Sequence, residues 1–172
     1  MIEYKNLLNL NAPHFHLAFG TDANLCDFSW KILLQEKTKA SVKMIRGDKC
    51  KTVVSLFDEF AAAFQFPYYF GQNWDSFNEC LNDLEWMRMS SYVLFINNIN
   101  CLLEAEGEEE FNNFINIIEE MTKEWVNGRS YDSFPTTPTP FHVVFHCATE
   151  RKKDVLDRLE ACGLQNIELI RL

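Results

Sequence analysis

The chain has 172 residues, of which 47% are hydrophobic and 14% aromatic. This composition excludes a disordered chain and allows one domain with a sizeable core. With 16 basic and 25 acidic residues the net charge is −9, which argues against direct binding of nucleic acid and suits either simple solubility or a basic partner.

The six cysteines are too far apart for a CxxC pair, which excludes zinc-ribbon and thioredoxin-type motifs. Several of them sit in apolar runs, where a free cysteine acts as a small hydrophobic residue, and this is typical of a reducing compartment. The first thirty residues contain no basic-then-apolar signal segment, and no apolar run approaches the ~18 residues of a membrane span. We therefore expect a cytoplasmic protein that does not contact membranes.

Residues 1–40 are interpreted as an N-terminal extension packed on the domain. Residues 14–19 could form a strand, and residues 28–34 either a short helix or another strand. His14 and His16 would share one face of that strand, as pairs of metal ligands do, but no third ligand accompanies them at a suitable spacing. We therefore expect no bound metal.

The next elements are clearer. Residues 41–45 are β-prone and are followed by apolar residues at helical spacing, which predicts an amphipathic helix packed on a core. Thr52 or Ser55 can cap the start of this helix through the hydroxyl group. The apolar residues are Val53, Leu56, Phe57, Phe60, Ala61 and Phe64.

Residues 66–86, FPYYFGQNWDSFNECLNDLEW, combine a Pro-aromatic-Gly turn with a short helix that has two unlike faces. Asp75, Glu79 and Asp83 lie at i, i+4 and i+8, where like charges repel one another. Such a stripe is usually only a solvated helix face, but a partner with positive charge would relieve the repulsion. The opposite face carries Trp74, Phe77, Cys80, Leu81 and Leu84, and the turn crowds together Tyr68, Tyr69 and Phe70.

The later elements predict a scaffold. Residues 92–96 and 141–147 are unbroken apolar runs, typical of strands buried on both faces. Between them, an acidic run at residues 104–110 leads into an apolar residue pattern at helical spacing, and acids in the first turn of a helix stabilise its positive end. A last helix, ending at Gly163, and an edge strand at residues 167–172 complete the order strand, helix, helix, strand, helix, strand, helix, strand. This order predicts an α/β domain with a small, mainly parallel sheet flanked by helices.

Catalytic motifs are missing. The chain has no GxxxxGKS/T, GxGxxG, HExxH or GxSxG sequence. Asp75 and Glu79 share one helix stripe and do not face each other across a cleft, and no nucleophile is visibly paired with His142 or His146 on their strand. We expect a protein that is not an enzyme and has no cofactor, and catalysis by these carboxylates or histidines remains a competing hypothesis.

Taken as a whole, residues 66–86 resemble the barstar family, the intracellular inhibitors of barnase-like ribonucleases. The resemblance covers roughly residues 40–147. It implies a barstar-like fold with the family core at about residues 41–147, and we assign residues 41–172 to this domain, with an extra C-terminal helix and strand that lie outside the resemblance. The matching positions are Pro67, Tyr69, Phe70, Gly71, Asn73, Trp74, Asp75, Glu79, Cys80 and Leu81.

The resemblance implies a protein that is monomeric when free and inserts the turn and the acidic helix into the active site of a basic ribonuclease or ribonuclease toxin. Its carboxylates would take the place of RNA phosphates. Because Glu79 stands where barstar itself has aspartate, we do not expect tight binding to barnase. The alternative is a binding module of the same fold whose partner is not a nuclease. The implied partner-binding residues are Tyr69, Phe70, Gly71, Asn73, Asp75, Asn78, Glu79, Asp83 and Glu120.

Overall fold

The computed structural model describes residues 4–36, 39–130 and 135–172, which contain a five-stranded parallel sheet with helices on both faces. The predicted α/β class with a parallel sheet is confirmed. The spatial order of the strands is β2-β3-β4-β1-β5. They are β1 (Phe15–Phe19), β2 (Ala40–Arg46), β3 (Ser91–Asn97), β4 (Phe141–Cys147) and β5 (Ile167–Arg171).

Five α-helices within the described residues join the strands. From β2 onward, the observed order of helices and strands is the one that the sequence predicts. The predicted cap is also present, because the Thr52 hydroxyl accepts the Ser55 backbone N–H while the Ser55 hydroxyl accepts that of Thr52. The helices are α1 (Asp22–Glu36), α2 (Val53–Phe64), α3 (Trp74–Asp83), α4 (Glu108–Asn127) and α5 (Lys152–Ala161).

The segment interpreted as an N-terminal extension supplies an inner strand of the sheet and does not simply pack on the domain. β1 pairs with β4 on one side and with β5 on the other, so β5 reaches the sheet only through β1. Residues 28–34, for which the sequence allowed a helix or a strand, belong to α1. The division of the chain at residue 40 stays a prediction about sequence organisation, and residues 1–3 and 37–38 of this segment lie outside the described residues.

The core has two parts because side chains of successive strand residues point to opposite faces. On β3, Leu94 and Ile96 join a large cluster under α2, α3, α4 and α5, whereas Val93 and Phe95 join a smaller cluster under α1. The large cluster is rich in phenylalanine rings, and Phe77 of α3 lies in it, fully buried. The position of α3 is therefore fixed by the larger cluster, on the face away from α1.

Two of the histidines lie in a buried chain of polar contacts. Nε2 of His16 lies 3.0 Å from Nδ1 of His142, and Nε2 of His142 donates to the Asn9 carbonyl at 2.8 Å. Burial lowers the pKa of His16 to about 3 and that of His142 to about 4. The Glu168 carboxylate, 3.1 Å from Nδ1 of His16, opposes this change. The effect of burial on the pKa of His16 exceeds that of Glu168, because the His16 side chain is 1% exposed and that of Glu168 is 33% exposed.

We expect these histidines to make the protein less stable in mild acid. In the unfolded chain they bind protons below pH ~6.5, whereas in the folded chain they do so only near pH 4 or lower, so stability is complete above ~6.5 and is lost as the pH falls. Between about pH 7.5 and about pH 5.5, the free energy of unfolding should fall by about 1 kcal/mol less in His142→Gln than in the wild type, because one titrating group is gone. Urea unfolding at the two pH values measures this difference, and equal losses in both proteins would contradict the assignment.

Candidate partner-binding site

The turn that precedes α3 is held by hydrogen bonds at both ends. The Phe70 backbone N–H donates to the Pro67 carbonyl at 3.0 Å, and the Gly71 N–H donates to the Ser76 hydroxyl at 2.8 Å. Gln72 has a left-handed backbone, with φ 50°, and its side-chain amide donates to Asp58 of α2 at 3.2 Å. These bonds fix the backbone of the turn against both α2 and α3.

Asn73 caps α3. Its side-chain oxygen accepts the Ser76 backbone N–H at 2.9 Å, and its amide nitrogen donates to the Gly71 carbonyl at 3.3 Å. A Cβ atom added at Gly71 would lie 2.9 Å from that amide nitrogen, so a larger residue there would displace the cap. The structure thus shows Asn73 holding the turn, and its implied contact with a partner stays a prediction.

Aromatic side chains anchor the turn and the inner face of α3. Phe70 is half-buried, with its ring centroid 4.9 Å from that of Phe66 and 5.8 Å from that of Phe57. The Trp74 indole N–H donates to the Glu110 carboxylate of α4 at 2.9 Å. Phe70 therefore supports the turn from inside, and its predicted contact with a partner would involve only the exposed part of the ring.

The outer face of α3 carries the acidic row. Asp75 and Glu79 are exposed, and Asp83 is half-buried at the end of the helix. In the described part of the chain, the ion pairs join other carboxylates to cationic side chains, and none of them involves these three residues. Asn78 lies half-buried beside the row, and the Asn82 amide donates to its side-chain oxygen at 2.9 Å. Within the described residues the row therefore has no cationic partner, and Asp83 interacts with the hydroxyl group of Tyr69.

Two tyrosines extend this surface to the tip of the turn. Tyr69 is 59% exposed and Tyr68 is fully exposed, and their ring centroids lie 5.7 Å apart at 77°. Partial desolvation, and then the neighbouring charge of Asp83, raise the pKa of Tyr69. Tyr69 therefore lies close to the Asp83 end of the acidic row. Sequence reasoning left Tyr68 out of the site, because three adjacent aromatic residues do not reveal which one faces solvent.

The acids of α4 are less closely joined to this surface. Glu120 is exposed, and in the described residues no hydrogen bond or ion pair connects it to α3. Glu119 pairs with Lys123 at 2.8 Å. The α4 acid that does touch α3 is Glu110, through Trp74. Because α4 is rich in glutamate, the sequence alone does not show which of its acids contacts α3.

The histidines of β4 do not form a visible catalytic arrangement. His142 contacts His16 and Asn9, and Nδ1 of the buried His146 donates to the Asn97 side chain at 2.6 Å. Within residues 4–36, 39–130 and 135–172, no three His, Cys, Asp or Glu side chains are placed to hold a metal ion. No helix in the same ranges is long and apolar enough to cross a membrane.

A family model described as Barstar (barnase inhibitor) matches residues 40–146. The chain belongs to the barstar family. The matched barstar segment begins with β2 and ends within β4, and it contains the turn, α3 and α4. No curated protein sequence matches the chain.

Solved structures of other proteins share the fold of this barstar-family chain. Cdc6p from Pyrobaculum aerophilum matches with a TM-score of 0.59 and 14% identity, over 97% of this chain and 42% of that protein. The ADP form of ORC2 from Aeropyrum pernix matches with a TM-score of 0.57 and 8% identity, over 94% of this chain and 43% of that protein. The chain thus spans less than half of either, and identities this low show similarity of fold alone.

We expect the Asn73 cap and Gly71 to be energetically coupled. Asn73→Ala should lower the free energy of unfolding by about 1 kcal/mol, because the first turn of α3 loses an acceptor for a backbone N–H. Gly71→Ala should also destabilise the protein, through the contact of its Cβ with the Asn73 amide, and this cost should shrink in the Asn73→Ala background. Urea unfolding of the two single variants and the double variant measures the coupling.

Asn73→Asp is the matched control, because a carboxylate can still cap the helix. Its stability should stay close to that of the wild type. Strictly additive losses in the double variant would show that the close approach at Gly71 has another cause.

Proposed function

We propose that this barstar-family protein inhibits a basic ribonuclease, and that the turn and the outer face of α3 form its inhibitory surface. The observation that carries the proposal is the acidic row, Asp75, Glu79 and Asp83, which has no ion pair within residues 4–36, 39–130 and 135–172 and lies on a helix whose inner face packs on the core. The row lies within the segment matched by the barnase-inhibitor family model. Family membership supports a ribonuclease as the partner.

The chemistry of such a complex follows from the geometry. A ribonuclease site that binds the RNA backbone carries Arg, Lys or His side chains, and carboxylates on one helix face can occupy the positions of the phosphates. Charge-assisted hydrogen bonds between these groups are stronger than bonds between neutral groups. The exposed acids would also attract a basic enzyme from a distance, so association should be fast and sensitive to salt.

The predicted site residues take different parts in this proposal. Tyr69, Asp75, Glu79 and Asp83 face the enzyme, and Asn78 and Glu120 lie at the margins of the contact. Phe70, Gly71 and Asn73 shape the turn. The protein would act in the cytoplasm as a monomer, and as an immunity protein it would neutralise a toxin made by its own cell.

The likeness to the Cdc6p and ORC2 structures does not lead us to propose nucleotide binding. A loop that holds phosphates needs several residues, usually rich in glycine, between the first strand and the following helix. Here only Gly20 and Thr21 lie between β1 and α1, and α1 begins with the carboxylate of Asp22. That charge would repel a phosphate group.

We expect co-expression of this protein to rescue bacterial growth from a small basic ribonuclease. The probe is any barnase-like ribonuclease domain encoded beside the gene for this chain, and barnase itself, which we do not expect to be bound tightly, serves as the comparison. Asp75→Asn and Glu79→Ala should each weaken inhibition of the neutralised enzyme by about tenfold or more, since truncation of a central interface residue costs this much. The fold should survive in both variants, because the two side chains are exposed.

Glu160→Gln is the matched control, because it removes one negative charge from an exposed position on α5. It should inhibit as well as the wild type. If Asp75→Asn and Glu79→Ala also inhibited as well as the wild type, the assigned surface would be wrong. If the wild type rescued cells from no ribonuclease and retained a basic protein without nuclease activity from its host, the alternative of a binding module would be favoured.

A further inference from the structure

Tyr68 makes little contribution to the fold. Its side chain is fully exposed, and its ring contacts that of Tyr69 at the tip of the turn. An aromatic ring left in water contributes none of the hydrophobic stabilisation that a buried one provides. Apart from Tyr69, the aromatic residues near Tyr68, namely Phe66, Phe70 and Trp74, are at least half-buried and pack against the core.

The backbone that presents Tyr68 is nevertheless rigid. Pro67 fixes one side of the turn, the Phe70 N–H bonds back to it, and Gln72 is tied to Asp58 of α2. A ring held on a fixed turn loses little conformational entropy when a partner covers it. Exposed aromatic residues on such preorganised segments are typical of the few positions that dominate an interface.

The charge around the tip favours a cation as the occupant. The Tyr68 ring borders Tyr69, which lies near Asp83, and the acidic row continues to Glu79 without a positive partner in the described residues. The face of an aromatic ring itself carries partial negative charge and attracts cations. Arginine suits this position better than lysine, because its planar guanidinium stacks on a ring while its N–H groups reach neighbouring carboxylates.

We propose that Tyr68 binds an arginine side chain of the basic partner by stacking, so that the interface extends beyond the acidic helix to the tip of the turn. The identity of the partner rests on the function proposed above, whereas the preference for arginine is a property of this surface alone. Tyr68 lies outside the positions that carry the family resemblance. Its contact is therefore suited to selecting one basic partner over another, which needs only a difference in affinity.

The test compares octa-arginine and octa-lysine peptides as cationic probes at low salt, with ring-labelled tyrosine followed by NMR. The wild type should bind octa-arginine about two- to fivefold more tightly than octa-lysine, as expected for an exposed cation–π contact, and the Tyr68 ring signals should shift. Tyr68→Ala should lose the preference for arginine, and Tyr68→Phe should keep it. Val54→Ala removes another exposed apolar side chain, on α2, and should change nothing.

The outcomes separate this inference from the proposed function. Equal affinities for the two peptides in the wild type, or an unchanged preference in Tyr68→Ala, would overturn the inference, and ribonuclease inhibition through α3 would stand on its own test. If Tyr68→Ala lost the preference while the wild type neutralised no ribonuclease, the arginine site would stand and the proposed function would fail.

Discussion

The burial of the inner face of α3 is the interaction on which the rest of this surface depends. Phe77 and Leu81 are fully buried, and each contributes roughly 1.5–3 kcal/mol by leaving water. The repulsion between Asp75, Glu79 and Asp83 costs roughly 0.2–0.5 kcal/mol per neighbouring pair. Burial exceeds repulsion several-fold, so the helix forms although its outer face opposes it. The protein tolerates the acidic row because the core packs against the opposite face of α3.

The bonds from α3 to α4 determine how rigidly the surface is held. Trp74 donates to Glu110 near the start of α3, and the Trp125 indole of α4 donates to the Leu81 carbonyl near its end. Two indole hydrogen bonds at opposite ends prevent the helix from turning about its axis. The carboxylates therefore keep one direction in the free protein, which reduces the ordering cost of binding.

The sequence predicts an element correctly wherever the local residue pattern determines its structure. The apolar runs of β3 and β4 require burial on both faces, and the hydroxyl groups of Thr52 and Ser55 can cap only the helix that follows them. The position of β1 was not predictable in this way. Its place between β4 and β5 depends on pairing with residues more than 120 positions away. The five residues of the strand do not themselves show which strands lie beside it.

The same limit applies within the site. The acidic row follows from helical spacing, whereas the exposure of Tyr68 depends on how Pro67 and the left-handed Gln72 orient the turn. The sequence alone does not show which of the three adjacent aromatic residues, Tyr68, Tyr69 and Phe70, faces solvent. Their exposure differs because the backbone of the turn directs each side chain differently. The contact of His16 with His142 is a further case, because it joins two strands that are distant in the sequence.

The free protein keeps two unfavourable features side by side, namely carboxylates that repel one another and aromatic rings that face water. A cationic partner would remove both at once, because it neutralises the row and covers the rings. Part of the binding free energy would then come from relief of costs already present in the free chain. Side chains that serve the fold, such as Phe77 and Trp74, cannot supply this relief, because they are already satisfied by the core. One face of α3 is thus stabilised by the core, whereas the other carries the carboxylates that repel one another. This difference is the physical reason to look for function on the acidic face.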